Sequence, residues 1–182
     1  MNVSAALKSR TIALVGLMGV GKSSIGRRLA TALGMSFRDA DTEIEAAAGQ
    51  SISDIFANLG EPAFRDGERR VIARLLELPP HVLATGGGAF AHEQTRELIK
   101  EKALSVWLKA DLDLLARRVS RRQHRPLVVG RDPMEVLLAH AAERYPFFET
   151  ADVIVEVGDV AHGVAVEAVV QALTRRLEAA PS

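Results

Sequence analysis

The sequence predicts an α/β fold, a five-stranded parallel sheet with helices on both faces. Short apolar runs alternate with segments of helical apolar spacing along the whole chain. The runs are short and apolar, as suits strands covered on both faces of a parallel sheet. A glycine-rich turn leads straight from the first such run into the first helical segment.

In chain order, Thr11 to Val15 (TIALV) is a β-branched apolar run and reads as a buried strand. After the glycine-rich turn, Ser23 to Leu33 carries apolar residues at helical spacing, and Gly34 stands where a helix-ending glycine is expected. A second strand is placed around Phe37 and a helix over residues 41–48. Ser51-x-x-Asp54 resembles a capping box, opening a helix that Gly60 is expected to end. Glu61 to Leu78 is helical, and Pro79-Pro80 stops it. Val82 to Ala84 is a third strand and runs into Gly86-Gly87-Gly88. A helix over about 92–101, a fourth strand over Leu104 to Leu108 and a helix opened by Asp111 follow. The periodicity then fails over about 120–133, where Arg, Gln, His, Pro and Gly dominate. Such a long irregular segment in a compact domain is functional or disordered. Residues 134–149 are helical, Val153 to Val157 is the fifth strand and about 164–179 the last helix. No internal repeat or low-complexity tract interrupts this order.

The 182 residues suit one domain. A chain of this length buries roughly 70% of its unfolded surface, so it needs no disulfide staple. It contains no cysteine, which excludes disulfides and thiolate metal sites, and its five histidines lack zinc-ligand spacing. Twenty-three basic residues balance twenty-three acidic ones, which argues against a nucleic-acid partner. No stretch approaches the roughly 20 apolar residues of a membrane span. Residues 1–10 lack a signal-peptide core, so a soluble, cytoplasmic protein with no membrane partner is expected.

The sharpest motif is Gly16-Leu-Met-Gly19-Val-Gly21-Lys22-Ser23, which fits G-x-x-x-x-G-K-[ST] without departure. Its glycines let successive N–H groups face phosphate oxygens, and the helix that follows adds its N-terminal dipole. Lys22 is positioned for the β- and γ-phosphates of ATP, Ser23 for Mg²⁺, and Ser24 for the same phosphate cradle. A glycine turn without a ligand would not need this strand–turn–helix context. The guanine-reading N-K-x-D motif is absent, since Asn2 and Asn58 begin nothing like it, so a GTP switch is excluded. A small-molecule kinase remains.

Further motifs follow in a set order. They are Asp39-Ala-Asp41, Gly60-Glu61-x-x-Phe64-Arg65, Val82-Leu83-Ala84-Thr85-Gly86-Gly87-Gly88, Arg125-Pro126-Leu127 and Arg144-Tyr145-Pro146. Together with the phosphate loop they resemble the shikimate kinase family, over about Thr11 to Val157. The resemblance implies a nucleoside-monophosphate-kinase-like P-loop fold with a mobile lid. It implies one kinase domain over residues 1–182, with a core of about 10–180, a substrate-binding helical region of about 41–78 and a lid of about 119–133. Family members are usually monomeric.

It also implies roles. ATP and Mg²⁺ would be the cofactors and shikimate the acceptor, phosphorylated on its 3-hydroxyl. Lys22, Asp41 and Arg125 would be catalytic, with Asp41 holding the reacting hydroxyl and Arg125 descending with the lid onto the transferring phosphate. Asp39 would lie behind Mg²⁺. Arg65 and Arg144 would grip the acceptor carboxylate against the backbone of Gly86, Gly87 and Gly88. Arg118 would lie beside adenine, with Ala161-His162-Gly163 at about the adenine loop.

Taken alone, several of these residues have plainer readings. Asp39 and Asp41 could form a turn and helix N-cap. Arg65 could pair with Glu61 or Glu68 on an exposed helix face, worth about 0.3–0.5 kcal/mol. The triple glycine could be a flexible turn, although glycines directly after a strand suit a close backbone approach. The arginines at 117, 118, 121, 122, 125 and 131 could form a nucleic-acid patch or a solvated face, and only Arg118 and Arg125 are assigned here. Trp107 and Met134 are packing residues. Gluconate and nucleotide kinases are the alternatives in the same class, and a non-catalytic nucleotide-binding regulator is the alternative outside it.

Overall fold

The structure, a computed structural model, describes residues 3–122 and 130–180. Its elements are α1 (Val3–Lys8), β1 (Thr11–Val15), α2 (Lys22–Leu33), β2 (Ser36–Asp39), α3 (Ala40–Ala48), α4 (Ile52–Leu76), β3 (His81–Ala84), a 3-10 turn (Ala89–Ala91), α5 (Glu93–Lys102), β4 (Ala103–Lys109), α6 (Leu112–Ser120), α7 (Pro133–Phe148), β5 (Val153–Glu156) and α8 (His162–Glu178). Each of the five expected strands forms, within a residue or two of its expected ends.

The strands make one sheet of order β2-β3-β1-β4-β5, and every pairing is parallel. From β1 the chain first builds one side of the sheet and then, after β3, crosses to the other. Right-handed crossovers made in opposite directions put their helices on opposite faces. Accordingly α2 packs on β1, β2 and β3 beside α8, and α5 packs on β4 beside α4. The central strands β1 and β3 are buried at every residue, whereas edge strand β5 alternates buried and exposed. Trp107 is fully enclosed and meets Tyr145 and Phe148 of α7 at ring distances of 4.9 and 5.6 Å.

Because all strands run the same way, the segments after β1, β2 and β3 lie side by side along one edge. This crevice is where open α/β sheets bind ligands. Close packing keeps the row tight. A Cβ on Gly26 of α2 would sit 2.6 Å from the Phe37 ring of β2. The buried Thr85 ties the segment after β3 to β1, since both its N–H (3.1 Å) and its hydroxyl (2.9 Å) donate to the Leu14 carbonyl.

Gly60 ends a helix as expected. Its backbone is non-helical (φ 81°, ψ 171°), and a second helix starts directly after it with Pro62 in its first turn, so α4 is two helical segments meeting at a kink. The capping box forms on one side only. Ser51 accepts from the Asp54 N–H (3.1 Å), while the Ile52 N–H is taken by Glu45 (3.0 Å). The short helix α1 was not anticipated.

Thr85→Val keeps the side-chain shape and removes one hydrogen bond to Leu14. It should cost about 0.5–1.5 kcal/mol, read as a fall of roughly 2–4 °C in Tm. An unchanged melting temperature would remove Thr85 as the tie between β1 and the glycine turn.

Candidate active site

The phosphate-loop residues form a tight arch between β1 and α2. Its backbone requires glycine, with φ of 149°, 84° and 100° at Gly16, Gly19 and Gly21. Helix α2 begins at Lys22, so its first unpaired amides open onto the arch. The Lys22 ammonium donates to the carbonyls of Gly16 (2.6 Å) and Leu17 (3.1 Å). The Ser23 hydroxyl donates to Asp39 Oδ2 at 2.5 Å. Asp39 Oδ1 accepts from the N–H groups of Asp41 (3.0 Å) and Thr42 (3.3 Å) and so caps α3. The capping reading of Asp39 and its link to the phosphate loop are therefore both present, one on each carboxylate oxygen.

A cavity of about 100 Å³ lies over the arch, and Lys22, Ser23, Ser24, Asp39, Asp41 and Arg122 contribute to its wall. A second cavity of about 330 Å³ adjoins it and shares Met18, Asp41, Gly86 and Gly87 with the first. Asp41 thus stands at the junction of the two spaces. The second cavity has an apolar wall, where the rings of Phe56 and Phe64 stack 4.7 Å apart, and a charged wall of Arg65, Glu68 and Arg144.

The triple glycine organises that charged wall. None of Gly86, Gly87 and Gly88 has positive φ, so the turn needs space rather than conformational freedom. A Cβ on Gly86 would come within 2.9 Å of Glu68 Oε2 and 3.0 Å of Asp41 Oδ1. A Cβ on Gly87 would lie 3.5 Å from the Arg144 guanidinium, and one on Gly88 would run into the guanidinium of Arg65. Along three residues the wall passes from two carboxylates to two guanidiniums.

Arg65 makes the expected pair with its acidic neighbours, but not on an exposed face. It hydrogen-bonds Glu68 at 2.8 Å and lies 3.5 Å from Glu61 Oε1, yet it is only 11% exposed and lines the cavity. Glu68 is 1% exposed. Burial raises its pKa, and Arg65 opposes that rise. Arg144 is 7% exposed. Burial and then the neighbouring Arg65 lower its pKa, and it forms no ion pair among the described residues. One α-helical turn before Arg144, His140 also lines the cavity, and burial followed by Arg144 lowers its pKa to about 4.

Arg118 reaches from α6 to the carbonyls of Gly19 (3.2 Å) and Val20 (3.4 Å) and lies 3.9 Å from Asp159. It therefore braces the back of the phosphate loop. Asp159 lies between β5 and α8, shortly before Ala161, which is the N-cap of α8, and His162 and Gly163, which open that helix. Arg125 lies outside the described residues, as do Pro126 and Leu127 of the R-P-L motif.

Glu68, His140 and Arg122 are among the lining residues that were not assigned from sequence. Glu68 and His140 carry a readable signal, since both sit on otherwise apolar helical stripes (Phe64–Glu68–Ile72 and Val136–His140–Arg144–Phe148). Arg122 was grouped with the solvated arginines and instead faces the phosphate-loop cavity.

A phosphate loop joined through one aspartate to a cavity with paired guanidiniums defines a P-loop small-molecule phosphotransferase. The family model for shikimate kinase matches residues 18–177, and the chain belongs to the shikimate kinase family. It is 70% identical to a shikimate kinase of Caulobacter vibrioides, over 93% of this chain and 84% of the relative. It is 52% identical to one of Rhodopseudomonas palustris, over 98% and 88%. The structure of an Acinetobacter baumannii shikimate kinase in complex with shikimate superposes with a TM-score of 0.87 at 36% identity, covering 92% of this chain and 95% of that one.

Gly88→Ala places a methyl group in the space of the Arg65 guanidinium, which is the movable end of a flexible side chain. The melting temperature should therefore change little, while KM for the acid acceptor rises on the order of tenfold or more, as expected for a displaced charge-assisted contact. A variant with normal KM would show that the Arg65 position does not govern acceptor binding.

Proposed function

We infer that the protein transfers the γ-phosphoryl group of ATP to the 3-hydroxyl of shikimate, giving shikimate 3-phosphate and ADP. The observation that carries this reading is the position of Asp41, common to the phosphate-loop cavity and the guanidinium-lined cavity. An acceptor whose carboxylate pairs with Arg65 and Arg144 near Gly87 and Gly88 presents its hydroxyls toward Gly86 and Asp41. Bidentate guanidinium–carboxylate pairing would fix that orientation.

In the transfer, the acceptor oxygen bonds to the γ-phosphorus as the bond to the β–γ bridging oxygen breaks, and that electron pair leaves with ADP. The hydroxyl proton passes to Asp41, which also orients the oxygen for in-line attack. Lys22 and the amides opening α2 stabilise the charge on the phosphoryl oxygens. Arg122, and on the strength of the R-P-L motif Arg125, add positive charge over the same group.

Ser23 and Asp39 offer hard oxygen donors side by side at the phosphate loop. That set fits Mg²⁺, with Ser23 as ligand and Asp39 behind it; bound there, the ion supplies charge neutralisation between the β- and γ-phosphates. No group of three or more His, Cys, Asp or Glu suited to a metal occurs among the described residues. The cation is accordingly assigned chiefly to the nucleotide's own phosphates.

We take a monomer as the working unit, as the family resemblance implies. No helix among the described residues is long and apolar enough to cross a membrane, and we assign the activity to the cytoplasm. The unit is one kinase domain, with residues 41–78 forming the acceptor side and about 119–133 the lid. Gluconate is also a carboxylate and remains the competing acceptor. Asp41 at the junction disfavours a regulator without turnover.

ADP release from MgATP, followed with and without acceptor, tests the reading. Turnover should depend on shikimate and be absent with gluconate. Asp41→Asn should lower kcat by about 10²-fold or more, in line with general-base contributions, while nucleotide affinity stays unchanged. Equal turnover with gluconate, or a fully active Asp41→Asn, would contradict it.

A further inference from the structure

Four buried side-chain polar atoms lack a hydrogen-bond partner among the described residues, and three line the same cavity: Arg65 Nε, Glu68 Oε2 and His140 Nδ1. The fourth, His81 Nε2, belongs to the start of β3. Buried polar groups are almost always paired in folded proteins. Three unmet groups around one space therefore mark it as a surface built to be completed by a ligand. Arg65 and Glu68 are accounted for by the acceptor reading and by their mutual pair. His140 is not.

His140 and Arg144 are four residues apart on α7, so their side chains share one helix face, and both line the cavity. The charged groups acting on the imidazole are Arg144 on its own helix, Arg131 just before it, and Arg65 and Glu61 on α4. Three of these four are cations. A cation added to that set would repel the guanidiniums. A neutral imidazole does not, and it carries one N–H donor and one acceptor nitrogen. The depressed pKa of His140 agrees with this geometry, leaving the ring uncharged at neutral pH.

We propose that His140 is a third acceptor-binding residue, whose neutral imidazole donates a hydrogen bond to the carboxylate held by Arg65 and Arg144. Two guanidiniums supply charge at that end, and His140 supplies direction. A carboxylate has about four lone-pair sites, so one bidentate guanidinium and a single contact from the other leave a site open, and a donor fixed on α7 beside Arg144 fills it. The inference rests on the reading of this cavity as the shikimate site.

The test is titration calorimetry with shikimate, with its methyl ester, and with MgATP. The proteins are the wild type, His140→Leu, which fills the space without polarity, and His140→Gln, which restores an N–H. Relative to wild type, the leucine variant should bind shikimate about tenfold more weakly and the glutamine variant within about threefold, the scale of one buried hydrogen bond to a charged group. Neither should alter MgATP binding. With the ester, which lacks the charge, wild type and His140→Leu should differ by less than about threefold. Should the leucine variant fail to fold, His140→Ala read against the same acid and ester pair decides the question.

The proposal is overturned if His140→Leu binds shikimate as tightly as wild type, or if it loses acid and ester equally, since a packing role does not distinguish them. A wild-type protein that binds neither acid nor ester overturns the shikimate reading itself, and this inference with it.

Discussion

Four charged side chains converge on three consecutive glycines, and the rest of the site depends on that convergence. Asp41 and Glu68 press on Gly86 and Arg65 on Gly88, close enough that a single methyl group would displace them, and Arg144 lies at contact distance from Gly87. The backbone there supplies an absence of side chain. That absence lets a carboxylate end and a guanidinium end face one cavity within the length of a tight turn. Removing Arg65 would leave the carboxylate of Glu68 buried without its counterpart, which costs more than the pair contributes. The acceptor completes this balance: its anionic end matches the guanidiniums and its hydroxyls match Asp41.

The sheet delivers these groups to one place. β1 carries the phosphate loop, β2 ends at Asp39, and β3 runs into the triple glycine, so strand order alone sets these three segments in a row. Helix α4 brings Arg65 and Glu68 from the segment between β2 and β3, and α7 brings Arg144 and His140 from the far half of the chain. Asp39 links the parts directly, one oxygen holding Ser23 of the phosphate loop and the other capping the helix that carries Asp41. Nucleotide side and acceptor side are thus joined by a single carboxylate rather than by loop flexibility.

The phosphate loop was legible because its chemistry demands fixed residue types at fixed spacing next to a strand and a helix. Strands β1, β3 and β4 were legible because burial on both faces leaves a largely apolar run. Arg65 was harder. An i,i+3 or i,i+4 pair with Glu looks the same whether the helix face is wet or buried, and here the pair exists and still lines the site. Glu68 went unassigned because a single polar residue inside an apolar stripe is easily passed over, and His140 because Arg144 drew the assignment on its stripe. Read as a stripe, Val136, His140, Arg144 and Phe148 mark one face whose polar members need partners. Gly60 was legible for a different reason: a glycine free to take non-helical backbone closes one helix, and Pro62 suits the first turn of the next.

The most direct test is a crystal structure of the protein with ADP and shikimate bound. The account predicts the shikimate carboxylate between Arg65 and Arg144, against Gly87 and Gly88, with a ring hydroxyl within hydrogen-bond distance of Asp41 and facing the phosphate loop. A shikimate seated with its carboxylate toward Lys22, or with no hydroxyl near Asp41, would contradict it.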